Sequence, residues 1–312
     1  MAPATHRRCT VAARLRLALA LAATGWGLLP LLPFPPFLPS AEARPPNPAA
    51  GETRAEPAAS AAASAATPAA STPPEAFRAP GAGPTPYPGD AAAWPGRGVT
   101  RVFGWMQDNR RSFWQQRALK QGSVVFAGDS LVGSWRSLPN DFPALNTANR
   151  GIGGDVSRGL LFRFQEDVLD LYPKAIVLLI GTNDLSARQA PADTLFNIAA
   201  MLDLARQRDA RVPIVLCTLP PRAHRDAPVE PARLAELNAG IKALAAGRAG
   251  VTLVDLFEAF SAADGSMDER YFAADRLHLS PAGYARLRSV LEPVLATLRL
   301  AVTTGRGAGS TS

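Results

Sequence analysis

Five short apolar runs, at 124–127, 144–146, 175–180, 213–217 and 251–254, alternate with longer stretches of helical character at 156–171, 192–208, 229–248 and 281–298. Each run is too short to be a helix, and the first, Val124-Val125-Phe126-Ala127, is rich in β-branched and aromatic side chains. Strand and helix alternating in this way predict an α/β domain: a parallel sheet of five strands with helices on both faces. An amphipathic helix over 99–120, with Val102, Trp105, Met106, Phe113 and Leu119 as its apolar members, precedes the first strand. No internal repeat interrupts the pattern.

The rest of the 312 residues divides by composition. Residues 1–43 read as an export signal. Arg7, Arg8, Arg14 and Arg16 give a positive start, Leu17 to Leu38 is uncharged and apolar, and Ala41-Glu42-Ala43 offers a small-x-small cleavage pattern. Pro30, Pro33, Pro35 and Pro36 would break a spanning helix, which favours a cleaved signal over a retained anchor and leaves no stable span afterwards. Residues 44–97, rich in alanine, proline and serine, cannot bury enough apolar surface to offset their ordering entropy and read as a disordered tether. That assigns 98–300 to the folded domain and 301–312 to a disordered tail. The net charge is +7, but the leader holds four arginines and one glutamate, and the remaining 29 basic and 25 acidic residues form no basic run. Nucleic acid is therefore a poor partner. Of the two cysteines, Cys9 lies in the leader and Cys217 in an apolar run, where it reads as a small buried hydrophobe; one cysteine left in the mature chain can form no internal disulfide.

Polar signatures follow the strands, at the edge where open α/β sheets bind ligands. The first strand runs into Gly128-Asp129-Ser130, where Ser130 is either a helix N-cap or a nucleophile. After the second comes Asn149-Arg150-Gly151-Ile152-Gly153-Gly154-Asp155, whose glycines let backbone N–H groups approach a ligand. It is no dinucleotide loop, because Val156 stands where the third glycine belongs, and the chain has no P-loop. After the third comes Gly181-Thr182-Asn183-Asp184, in which Asn183 is either a turn-forming residue or a donor to a developing oxyanion. Serine chemistry needs a neutral imidazole, and outside the leader only His224 and His278 supply one. His278 has Asp275 three residues before it, so one tight turn would let that carboxylate fix the ring's tautomer. His224 lies in a polar loop without such a partner and reads as an exposed histidine or a substrate contact.

Gly128-Asp129-Ser130, Gly151-Ile152-Gly153-Gly154, Gly181-Thr182-Asn183-Asp184 and Asp275-x-x-His278 resemble, in order and spacing, the four signature blocks of the SGNH (GDSL) hydrolases. The likeness covers about 123–298, and the wording around Gly154 and His278 is most similar to the platelet-activating-factor acetylhydrolase-like branch. The resemblance implies a three-layer α/β/α, flavodoxin-like fold with no metal or cofactor. It implies Ser130 as nucleophile, His278 as base and Asp275 as its orienting partner. The oxyanion hole it implies is the Ser130 N–H, the Gly154 N–H and the Asn183 side chain. An α/β-hydrolase fits less well, since its Gly-x-Ser-x-Gly elbow would need glycine at Val132.

These readings converge on a serine esterase acting on short acyl esters, acetyl foremost, in the periplasm or outside the cell. Its partner would be a small acyl ester or an acetylated glycan. The alternatives are an O-acyltransferase of the same architecture acting on envelope glycan, and a glycan-binding domain that keeps the pocket without turnover. The sequence sets no oligomeric state.

Overall fold

The computed structural model describes residues 83–298. The expected signal, most of the tether and the 301–312 tail lie outside the described residues. In chain order the elements are α1 (Gly104–Gln116), β1 (Val124–Gly128), α2 (Ser130–Gly133), α3 (Leu138–Asp141), β2 (Thr147–Gly151), α4 (Ser157–Asp167), β3 (Ala175–Leu179), α5 (Thr182–Ser186), α6 (Pro191–Arg208), β4 (Ile214–Cys217), α7 (Pro231–Ala246), β5 (Val251–Val254), α8 (Leu256–Ala259) and α9 (Pro281–Thr297).

The strands form one sheet in the order β2-β1-β3-β4-β5, every pair parallel. Parallel neighbours are joined by right-handed crossovers. The step from β1 out to β2 therefore lays its connection on one face, and the steps back through β3, β4 and β5 lay α4, α6 and α7 on the other. The α/β/α sandwich follows from the strand order. Every residue of β1 and of β3 is buried, as strands covered on both faces require. Cys217, at the end of β4, is 1 % exposed, and burial pushes its thiol up to about 12. The chain leaves β1 one way and returns on its other side, so the carboxyl end of β1 is the point where strand order reverses. Ligand crevices open at such points in α/β sheets. Ser130 stands there.

Three expectations are corrected. The second strand is Thr147–Gly151, not 144–146, so Asn149, Arg150 and Gly151 belong to the strand rather than to the loop after it. It is an edge strand that carries polar side chains bonded to distant partners: Asn149 Nδ2 donates to the Val132 carbonyl at 2.8 Å and Arg150 Nε to the Asp167 carbonyl at 3.1 Å. Apolar patterning could not find it. Residues 83–97, read as the end of a disordered tether, are tied to the domain at a few anchor points, although most of them stay exposed. Trp94 is 5 % exposed, with its ring 5.4 Å from Tyr87 and 5.1 Å from Phe162. The Arg158 guanidinium donates to the carbonyls of Pro95 and Gly98 at 2.9 and 2.8 Å. Two aromatic residues in a proline- and glycine-rich stretch are enough to anchor it, and average composition hides them. The first helix is also shorter than 99–120, starting at Gly104 and tightening into a 3₁₀ turn over Arg117–Lys120.

Candidate active site

Gly128 closes β1 where the chain must pass very near its neighbour: a Cβ there would lie 2.1 Å from the Leu179 carbonyl oxygen. Only glycine fits. Asp129 is the N-cap of α2, its Oδ1 accepting from the Leu131 N–H at 2.9 Å, so Ser130 is the first residue of the helix and not its cap. The Tyr284 hydroxyl of α9 donates to the Leu131 carbonyl at 3.1 Å, and its ring stacks on Trp135 at 5.6 Å. The turn that presents Ser130 is thus braced from both sides.

The loop carrying Asp275 and His278 is closed at its base by a bridge between Phe272 and Leu279 and by the Ala273 N–H donating to the His278 carbonyl at 2.7 Å. Asp275 Oδ1 accepts from the backbone N–H groups of Leu277 and His278, each at 3.0 Å, while Oδ2 meets His278 Nδ1 at 2.5 Å. His278 Nε2 lies 2.9 Å from Ser130 Oγ. Serine, imidazole and carboxylate, which the sequence separates by up to 148 residues, form one continuous chain of contacts. Partial burial pushes the Asp275 carboxyl up, but the imidazole and the two backbone N–H groups outweigh it and hold it down at about 2. Asp275 is therefore ionised at neutral pH. Arg276 holds a left-handed φ of +56° in this turn, with its guanidinium paired to Glu269 at 2.7 Å.

Gly154 sits at φ +82°, a conformation that suits glycine. It precedes Asp155, whose backbone carbonyl accepts from Asn183 Nδ2 at 3.0 Å. Asn183 makes no capping bond; it is the second residue of α5, and its amide is tied to the glycine loop instead. An Asn amide has two hydrogens, so this bond fixes the direction in which the second points. The neighbouring Asp184 accepts from the Ser157 N–H and hydroxyl, from Gln189 at 2.8 Å and from Thr194 at 3.2 Å, which clamps α5 to the start of α4. His224 does not join the chain of contacts: its Nδ1 accepts from the Ala227 N–H at 3.2 Å within its own loop.

Sequence reasoning missed Arg163. Fully buried, it pairs with Asp155 Oδ2 at 2.8 Å and with Asp167 at 3.2 Å, and it donates to the Gly128 carbonyl at 3.1 Å. It therefore joins the glycine loop to the strand end that presents Ser130. Its signal was an arginine inside the apolar run Leu160-Leu161-Phe162-Arg163-Phe164. Removing one member of such a pair strands a buried charge, at about 3–5 kcal/mol. Arg222 was missed as well. It donates to both the carbonyl and the hydroxyl of Thr182 at 2.7 Å, next to Asn183, while the Ala223 N–H donates to the Arg276 carbonyl at 2.9 Å. One loop thus touches both halves of the site. Among the described residues no group of three or more His, Cys, Asp or Glu side chains is arranged to hold a metal ion.

Asp129 has one carboxylate oxygen, Oδ2, buried without a hydrogen-bond partner. Burial pushes its pKa up to about 7; the Leu131 N–H pulls it down, Asp155 and Asp184 push it further up, and Arg222 pulls it down. A pKa raised from about 3.9 in the unfolded chain is stability present at low pH and lost as pH rises from about 4 through 7. Asp129→Asn keeps the cap acceptor and removes that loss. Thermal melts should show the variant gaining on the wild type between pH 4.5 and pH 8, by at most about 4 kcal/mol for a shift of about three units. An equal difference at both pH values would contradict it.

Residues 121–286 match the model of the GDSL-like lipase/acylhydrolase family. The human platelet-activating factor acetylhydrolase IB subunit alpha1 is 32% identical over 213 residues, 65% of this chain and 87% of that protein. The human alpha2 subunit is 30% identical over 201 residues, 62% of this chain and 84% of that one. A GDSL-like lipase from Bacteroides thetaiotaomicron superposes with a TM-score of 0.54 at 26% identity, covering 60% of this chain and 96% of that one. The chain belongs to the GDSL-like lipase/acylhydrolase family and is an ester hydrolase.

Proposed function

We propose that the chain removes short acyl groups, acetyl foremost, from an extracytoplasmic carbohydrate ester by two-step acyl transfer through Ser130. The observation that carries this reading is the contact chain Ser130 Oγ–His278 Nε2–Asp275 Oδ2, at 2.9 and 2.5 Å. Ser130 Oγ attacks the ester carbonyl while His278 Nε2 takes its proton; ionised Asp275 orients the ring and stabilises the imidazolium. The oxyanion receives the Ser130 N–H, the Gly154 N–H and the second Asn183 amide hydrogen. His278 returns the proton to the leaving alcohol, then activates the water that releases the acid. Acetyl is favoured because the relatives of this chain are acetylhydrolases by name. Export is favoured by the leader pattern of residues 1–43.

Steady release of p-nitrophenol from p-nitrophenyl acetate, faster than from the butyrate, is the expected result. A burst that stalls until a sugar acceptor is added would favour the transferase, and silence would remove the reading. Asn183→Ala should lower kcat by roughly 10²–10³, about 2.7–4 kcal/mol of transition-state stabilisation, with KM little moved. The bond to Asp155 contributes about 1 kcal/mol to stability, so the melting temperature falls modestly alongside. A lowered melting temperature with near-normal kcat would leave Asn183 a purely structural residue.

A further inference from the structure

Phe103 and Trp105 open the first helix with their rings stacked, centroids 4.4 Å apart and planes 15° from parallel, yet they remain 37 % and 51 % exposed. They stand against the glycine loop beside Ser130. Trp105 Nε1 donates to the Gly153 carbonyl at 3.0 Å. A Cβ on Gly154 would meet the Phe103 ring at 3.1 Å, and a Cβ on Gly153 would lie 3.9 Å from Ser130 Cβ. The ledge continues through Val102, 48 % exposed, into a cleft of about 360 Å³ lined by Tyr87, Trp94, Thr100 and Arg101. The ledge and cleft residues themselves lie before residue 121, where the match to the family model begins.

We propose that Phe103 and Trp105 form a subsite for a sugar ring in the alcohol half of the ester, and that an oligosaccharide continues over Val102 into the cleft at Arg101. The proposal rests on the reading of Ser130 as the nucleophile of an ester hydrolase. Exposed aromatic surface next to a reactive group marks a place where something binds. The indole N–H is already bonded to Gly153, so what the ledge offers is a flat apolar face with no polar demand. An acyl chain is best held in an enclosed apolar pocket. A pyranose matches an open ledge better, because its C–H face can lie on the ring while its hydroxyls stay at the wet edge. Thr100 and the Arg101 guanidinium, which sits 5.8 Å from the Phe103 ring, supply hydrogen-bonding partners further along.

The test uses the full chain on p-nitrophenyl acetate, p-nitrophenyl octanoate, and acetylated mono- and tetrasaccharides of xylan, chitin and peptidoglycan backbones. The wild type should prefer a tetrasaccharide over the monosaccharide acetate of the same backbone by about tenfold or more in kcat/KM. Phe103→Ala and Trp105→Ala should each lose about tenfold more on that tetrasaccharide than on p-nitrophenyl acetate, chiefly through KM. Trp105→Phe, which keeps a ring face and loses the bond to Gly153, should retain most of the preference. Equal losses on all substrates would make the ledge a prop for the glycine loop, and a selective loss on the octanoate would make it an acyl wall; either overturns the proposal. So would a wild type that turns over p-nitrophenyl acetate but prefers no tetrasaccharide. Silence on every ester, p-nitrophenyl acetate included, would instead overturn the esterase reading beneath it.

Discussion

Ser130→Ala is expected to lower kcat on p-nitrophenyl acetate by roughly 10⁶, the scale seen when the nucleophile of a serine triad is removed. A residual rate above that of water should survive, because a preorganised oxyanion hole and substrate binding do not depend on the hydroxyl. The fold should be unaffected. Ser130 is half-buried at the first position of α2, the Asp129 carboxylate supplies that helix's cap, and Tyr284 still holds the Leu131 carbonyl. The melting temperature should therefore stay within about a degree or two of the wild type, as for a surface substitution that breaks no cap or core contact. A fluorophosphonate should phosphonylate Ser130 Oγ with loss of fluoride as HF, adding the mass of its phosphonyl group to the wild-type peptide containing Ser130 and to no peptide of the variant. A folded variant with a substantial fraction of wild-type turnover would place the nucleophile elsewhere.

Four of the five strands were legible as short apolar runs: burial on both faces writes β1, β3 and β4 as continuous ones, and β5, an edge strand with Thr252 exposed, still carries three apolar residues of four. Val124–Gly128, Ala175–Leu179, Ile214–Cys217 and Val251–Val254 each lie within a residue of where hydrophobicity puts them. Thr147–Gly151 was not, since it carries asparagine and arginine whose partners come from α2 and α4, and no local pattern records a distant partner. Among the helices of four or five residues, α3, α5 and α8 left no pattern and α2 was signalled only by Ser130 as a possible cap, for a different reason. One helical turn is too short to establish a 3.6-residue period.

The candidate site divides along the same line. Ser130, Asp275 and His278 were readable because their chemistry narrows the candidates: two usable histidines, one of them with a carboxylate at turn distance. What could not be read is how the walls are joined. Arg163 reaches Asp155 and Gly128, and Arg222 reaches Thr182, through bonds spanning 8 to 40 residues that depend on how helices pack over the sheet. The anchored segment at 83–97 was missed because Tyr87 and Trp94 find their third ring, Phe162, on α4.

His278→Ala should fall to nearly the level of Ser130→Ala, since a serine hydroxyl at neutral pH is a weak nucleophile without a base in contact. The two single losses should not add: with either gone the other has no role, and the double variant should be about as slow as each single one. Asp275 would remain bound by the Leu277 and His278 N–H groups, so the loop should keep its shape and the loss should lie in kcat. His224→Ala is the control. Its ring nitrogen bonds only within its own loop, to the Ala227 N–H, so most of the turnover on a small ester should remain. If both histidine variants lost activity comparably, the loop between β4 and α7 would have to bring a base into the site. A contact chain of 2.9 and 2.5 Å would then have the wrong histidine at its centre.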